Sequence, residues 1–211
     1  MINALRHLVH RSKELIHNME LSHLKKIIIL TAPSGAGKTT VKSRLLDAFK
    51  KELSFSVSAT TRKIRGNEQE GIDYHYTNEE VFKKQIENNS FIEWEMVYPG
   101  LYYGTTVQEM NRIWGEGKVP VLDIDVKGAL NVKKQYGERV MSIFIEPPSI
   151  QILKERLQKR GTDTQENIMT RINKATEELQ YKGKFDQVVL NDDIERASAE
   201  VIALVRQFIQ N

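Results

Sequence analysis

Lys38 and Thr39 follow a run of small residues, Ala32-Pro33-Ser34-Gly35-Ala36-Gly37, and are followed by Thr40. A lysine and a hydroxyl at such a junction suit a polyphosphate with a hard cation: the ammonium reaches the β- and γ-phosphates and the hydroxyl ligates Mg²⁺. The chemistry works only if a strand feeds the loop and a helix leaves it, so that backbone N–H groups and a helix N-terminus converge on the anion. Ile27 to Leu30 reads as that buried strand. Val41, Leu45, Leu46 and Phe49 recur at helical spacing behind it. The stretch therefore predicts a P-loop for a nucleoside triphosphate rather than a plain glycine-rich turn. Ala32 stands where the pattern G-x-x-x-x-G-K-[ST] opens with glycine, a change that a negative φ tolerates.

Other polar residues fall into groups. Val119 to Ile124 is an apolar strand that delivers Asp123 and Asp125 to its end, where a P-loop enzyme places the acid of its Mg²⁺ shell. Arg156, Arg160 and Arg171 flank Gly161-Thr162-Asp163, where two helical segments meet, and could close over phosphates. Arg62 and Arg65, three apart, with Tyr74 and Tyr103, suit a second and smaller phosphate. Glu93 discriminates between bases. A carboxylate only accepts, guanine offers N1–H and N2–H side by side, and adenine offers an acceptor at N1. Ser58 and Thr105 could donate to guanine O6.

Several elements must position these groups. Expected strands lie at 27–30, 55–58, 71–77, 91–97, 102–105, 119–125, 140–145 and 186–190. Helices are expected at 79–88 (capped by Thr77 or Asn78), 106–116, 150–160, 165–181 and 194–209. Strands alternating with helices predict a mostly parallel sheet with ligands at the strand carboxyl ends. Residues 55–105 form a β-rich block inserted between the α/β units. Residues 1–24 read as an amphipathic helix with four of the five histidines; His7 and His10 fit a solvated face better than a metal pair. That segment lacks the apolar core and cleavage site of a signal peptide, and its acidic Glu14 and Glu20 argue against a transit peptide.

The 211 residues suffice for one substantial core, with 40% hydrophobic and 28% charged residues. Eighteen consecutive apolar residues occur nowhere, so no membrane helix is expected. The absence of cysteine excludes disulfides, thiolate catalysis and zinc–sulfur sites. A net charge of +3 is too small to argue for nucleic acid.

Seven segments in order, APSGAGKTT, SVSATTRKIRGNEQEGIDYHY, FIEWEMV, YYGT, VLDIDVKGA, RGTD and VVLNDD, resemble the guanylate kinase family over residues 25–210. The resemblance implies the α/β nucleoside-monophosphate kinase fold: a parallel core (25–56, 107–149, 183–211), a GMP-binding subdomain (57–106) and a helical lid (150–182). It implies an ATP site at Ala32 to Thr40 with Asn191 near the adenine. It implies a GMP site of Ser58, Arg62, Arg65, Glu68, Tyr74, Glu93, Tyr103, Thr105, Asp123 and Asp125. Glu68 falls in the family's R-x-x-R-x-x-E pattern as a brace for the arginines. Lys38, Arg62, Arg156, Arg160 and Arg171 are the implied catalytic residues, and Thr39 with Asp123 the implied Mg²⁺ ligands, through water. Three departures from the pattern are Ala32, a turn at Val97 to Leu101 one residue longer than usual, and the leading 24 residues.

The implied activity is direct, in-line transfer of the ATP γ-phosphate to GMP without a covalent enzyme intermediate. The expected setting is cytoplasmic, with free nucleotides as partners, no nucleic acid or membrane, and a monomer or homodimer. A scaffold domain of the same fold would be expected to lose Lys38 or the lid arginines. A kinase for another monophosphate would lack the reason for Glu93.

Overall fold

The computed structural model describes residues 25–159 and 164–210. The reading of residues 1–24, Arg160 and the Gly161-Thr162-Asp163 turn lie outside the described residues.

Strand β1 (Ile27–Thr31) is buried along its whole length. Its residues alternate between two apolar clusters, Ile28 and Leu30 in one, Ile27 and Ile29 in the other, so both faces of the sheet are covered. Helix α1 (Lys38–Ala48) follows, then β2 (Leu53–Phe55), β3 (Ala59–Thr60) and β4 (His75–Tyr76). Next come α2 (Glu79–Glu87), β5 (Phe91–Tyr98), β6 (Leu101–Thr106), α3 (Val107–Gly115) and β7 (Val119–Asp123). The chain ends with α4 (Val126–Tyr136), β8 (Val140–Glu146), α5 (Ile150–Lys159), α6 (Gln165–Leu179), β9 (Gln187–Leu190) and α7 (Ile194–Gln210).

The larger sheet is parallel, in the order β2-β7-β1-β8-β9. Its central strand, β1, is flanked by two strands that come much later in the chain. The polypeptide therefore leaves it on both sides, and the crevice beyond its carboxyl end is where an open α/β sheet takes ligands. One face carries Val41 and Leu45 of α1, Leu153 and Leu157 of α5, Ile172 of α6 and Val201 of α7. The other carries Met110 of α3 with Val126, Ala129 and Val132 of α4. Fully burying one such side chain is worth about 1.5–3 kcal/mol. The smaller sheet, β4-β3-β6-β5, packs on α2 through Phe82, Tyr102 and Ala59. Phe82 stacks on Phe91 with centroids 4.4 Å apart.

Two strands differ from expectation. The strand expected over 55–58 is Leu53–Phe55, with register Leu53↔Val119 to Phe55↔Val121. After Ser56 the backbone leaves the larger sheet, and Val57 N–H donates to the buried Glu109 carboxylate at 2.9 Å. Only His75–Tyr76 remains of the strand expected over 71–77. Gly71, with φ +73°, turns the chain so that its N–H donates to Tyr74 O, while Asp73 accepts from Gln69 N–H. Asn78 is the helix cap ahead of Glu79, accepting from Val81 N–H at 2.8 Å. The β5–β6 hairpin closes on Pro99-Gly100, and a register shift between Met96 and Tyr98 absorbs an unpaired residue.

Candidate active site

β1 and the start of α1 shape the phosphate loop. Gly35 and Gly37 have φ of +92° and +95°, a region that residues with a Cβ rarely adopt. A Cβ on Gly37 would stand 2.2 Å from Asn191 Nδ2, which instead donates to Ala36 O at 2.6 Å. Ala32 is buried, and among the described residues only Asn89 has positive φ without being glycine. The methyl at position 32 therefore meets no backbone constraint.

A cleft of about 490 Å³ opens at the carboxyl ends of β1 and β7. Ala32 to Gly35, Gly37, Lys38 and Thr39 form one wall, and Ser58, Arg65, Tyr74, Glu93 and Tyr103 the other. Asp123, Asp125 and Arg171 lie between them. Lys38 Nζ is 2.5 Å from Asp123 Oδ1, and Lys42 Nζ is 2.9 Å from Oδ2. Burial alone would raise the Asp123 carboxyl, but the two ammonium groups outweigh it and hold it at about 2. Burial pulls Lys38 down, yet Asp123 wins and leaves it above the ordinary lysine value.

Glu93 is 7% exposed, at the end of the smaller sheet nearest α4. Its Oε1 accepts from Thr105 N–H at 2.8 Å and from Thr105 Oγ1 at 2.7 Å. Burial, with the nearby Asp125 and Glu95 charges, lifts the carboxyl to about 7 despite those hydrogen bonds. Thr105 is fully buried and its hydroxyl is donated to Glu93, so it positions the carboxylate instead of facing a base. Asp125 caps α4, accepting from Gly128 N–H at 2.8 Å.

Arg62 is 8% exposed and its guanidinium is committed. Nη1 and Nη2 donate to the two Glu68 oxygens at 2.7 and 2.8 Å, and Nε donates to Tyr103 Oη at 3.1 Å. Those bonds hold the Glu68 carboxyl at about 2. Glu68 also accepts from Arg65 N–H and Tyr76 Oη, so it braces the segment carrying both arginines. Arg62 thus stands behind Tyr103, while Arg65 reaches the cleft wall. Tyr74 packs edge-on against Tyr103, centroids 5.7 Å apart, and burial raises its phenol above the ordinary value.

The expected lid arginines separate. Arg171 Nη1 donates to Ser34 Oγ at 2.8 Å, placing α6 over the loop. Arg156 lies on the far side of the loop, in a second hollow of about 360 Å³ with Thr40, Lys159 and Asn191, and donates to Asn191 O at 3.2 Å. Asn191 Oδ1 is a buried acceptor with no hydrogen-bond partner among the described residues.

Sequence reading missed Lys42, Gly128, Glu95, Lys174 and Glu178. Lys42 lies one helical turn from Lys38, which is a usable signal. Gly128 lies three residues after the Asp125 cap, and a Cβ there would come within 2.6 Å of Glu93 Oε2. Lys174 and Glu178 line the cleft from α6 but read as ordinary charges on an amphipathic helix.

The sequence model of the family described as guanylate kinase matches residues 24–208. A guanylate kinase of Porphyromonas gingivalis is 47% identical over 186 residues, covering 88% of this chain and 99% of its own length. One from Bacteroides fragilis is 46% identical over 184 residues, covering 87% and 90%. The crystal structure of guanylate kinase from Anaplasma phagocytophilum aligns with a TM-score of 0.71 at 30% identity, covering 89% of this chain and 87% of its own. With a sequence match that runs from before the phosphate loop to the last helix, the chain belongs to the guanylate kinase family.

Proposed function

We propose that the chain transfers the γ-phosphate of ATP to GMP, giving ADP and GDP. The observation that carries this reading is one cleft with the Lys38 loop on one wall and the buried Glu93 carboxylate on the other. Lys38 and the loop N–H groups hold the ATP phosphates, with the adenine toward Asn191. Glu93, positioned by Thr105, accepts from guanine N1–H and N2–H, while Ser58 faces the base. Arg65, Tyr74 and Tyr103 hold the GMP phosphate, with Arg62 and Glu68 fixing Tyr103 and the loop. Arg171, which lines the cleft, supplies positive charge as the phosphoryl group moves, joined by Arg160, while Arg156 borders the ATP side of the loop beside Asn191. Positioning plus charge stabilisation is the work left to the protein, since a GMP phosphate oxygen is itself the nucleophile.

The residues fit Mg²⁺ as cofactor. Thr39 and Asp123 are hard oxygen donors at the cleft, and among the described residues no cluster of three His, Cys, Asp or Glu could hold a metal alone. Mg²⁺ suits that arrangement because it keeps waters and binds substrate phosphates through one or two protein oxygens. When bound it neutralises charge on the β- and γ-phosphates. Thr39 would hold it, with Asp123 acting through water.

We assign the GMP-binding subdomain to 57–106, the lid to 150–182 and the core to the rest of 25–211, acting on free nucleotides in the cytoplasm. Among the described residues no helix is long and apolar enough to cross a membrane. A coupled assay of ADP release with ATP and each of GMP, AMP, CMP and UMP tests the reading. Turnover with GMP alone is expected. Equal use of AMP, or no turnover with GMP, would refute it.

A further inference from the structure

We propose that Lys42 is a positioning residue that keeps Asp123 charge-balanced when Lys38 leaves it for the nucleotide phosphates. The inference rests on the phosphate-binding role assigned to Lys38 above. Lys38 and Lys42 are four residues apart on α1, so their side chains lie on one face. Two like charges on adjacent turns repel, and Asp123 at the end of β7 resolves this by giving each ammonium one oxygen. The carboxylate side chain is only 18% exposed. Left without a counter-ion, it would bear an unscreened charge in a poorly hydrated place.

Lys38 has two tasks that compete. At rest it is held by Asp123, and to bind a triphosphate it must turn toward the phosphates. With Lys38 as sole partner, that motion would strip a half-buried carboxylate and oppose ATP binding. Lys42 removes the conflict. Its Nζ is held on a second side by the Phe55 ring of β2, 3.9 Å from the centroid, an attraction worth most where water is scarce. Neither Phe55 nor Asp123 belongs to the phosphate loop, so Lys42 stays in place as Lys38 moves. Counting the protein's own charges, the group begins with two cations on one anion and ends with one on one.

A double-mutant cycle read by direct binding of MgATP, without GMP, tests this. Lys42→Met keeps the aliphatic stem over Phe55 and removes the charge. Its dissociation constant for MgATP should rise at least fivefold, while Lys42→Arg, which keeps the ion pair, stays within threefold of wild type. In an Asp123→Asn background the same Lys42→Met change should cost less than twofold, because no carboxylate remains to be balanced. An equal loss in both backgrounds would make Lys42 a simple phosphate-attracting charge and overturn the proposal. An unchanged constant for Lys42→Met would overturn it too. Should Lys42→Met fail to fold, Lys42→Gln runs through the same cycle. Wild-type turnover with GMP is measured alongside. If it is absent, the kinase reading fails, whereas the binding cycle still decides what Lys42 does.

Discussion

In the role proposed for Glu93, a carboxyl lifted to about 7 from an ordinary 4.5 must lose a proton before it can accept from guanine. Between those values the folded protein holds a proton that the unfolded chain has released, so wild-type stability falls as pH rises through that window and is flat above it. Glu93→Gln keeps the shape and can still accept from Thr105, but it cannot ionise. Its melting temperature should therefore match wild type near pH 4.5 and exceed it near pH 8. Activity should move the other way. The variant should lose at least a hundredfold in kcat/KM for GMP, from two charge-assisted bonds at about 1.5–3 kcal/mol each. The wild-type kcat/KM should fall about tenfold per unit below pH 7, with GMP's own phosphate, whose second pKa is about 6, adding a further loss. Thermal melts and pH–rate profiles of both proteins check this; identical profiles would remove Glu93 from base recognition. At Ala32 the expectation is nearly nothing. Since its φ is not positive, Ala32→Gly should change ATP affinity less than tenfold, about 1.4 kcal/mol, in a binding titration.

Helix α4 meets the site at its first turn. Asp125 caps it, and three residues later Gly128 leaves room for Glu93, so the glycine serves the neighbouring strand and not its own helix. Gly128→Ala raises intrinsic helix propensity by about 0.8–1.0 kcal/mol. The added methyl would nonetheless stand 2.6 Å from Glu93 Oε2, so the carboxylate must shift. The variant should keep its fold by circular dichroism and bind MgATP within about threefold of wild type. Its kcat/KM for GMP should fall at least about tenfold, a misplacement effect. Equal losses for both nucleotides would point to a general disturbance of α4.

Among the described residues, the buried members of both apolar clusters of the larger sheet run from Ile27 to Val205, with Phe208 and Ile209 packed against one of them. The family match likewise begins at residue 24. A chain starting at Met19 should therefore fold and retain wild-type kcat with GMP. A melting temperature lowered by more than about 5 °C, roughly 1–2 kcal/mol in a chain this long, would give the leading segment a structural part. The cleft itself is a whole-molecule product: its walls come from two sheets, joined where β2 ends and the chain crosses to β3.

The sequence by itself determined what depends on neighbours along the chain. The phosphate loop was legible because strand, small residues and Lys38-Thr39 are contiguous. Glu93 was singled out by its chemistry, a carboxylate that only accepts, and the order of strands and helices announced a parallel sheet. The strand near 55–58 was misplaced because an apolar run does not reveal which sheet will pair it, and 71–74 was misread because Gly71 makes a turn. Only the tertiary structure decided the rest. Lys42 meets Asp123 across 81 positions, and Arg171 meets Ser34 across 137. Thr105 gives its hydroxyl to Glu93, Gly128 makes space for that carboxylate, and Arg62 is committed to Glu68 and Tyr103. Each of these depends on where a second segment comes to rest. Hydrophobic spacing fixes which face of an element is buried, whereas the partner of a polar group on that face is set by the packing of elements distant in sequence.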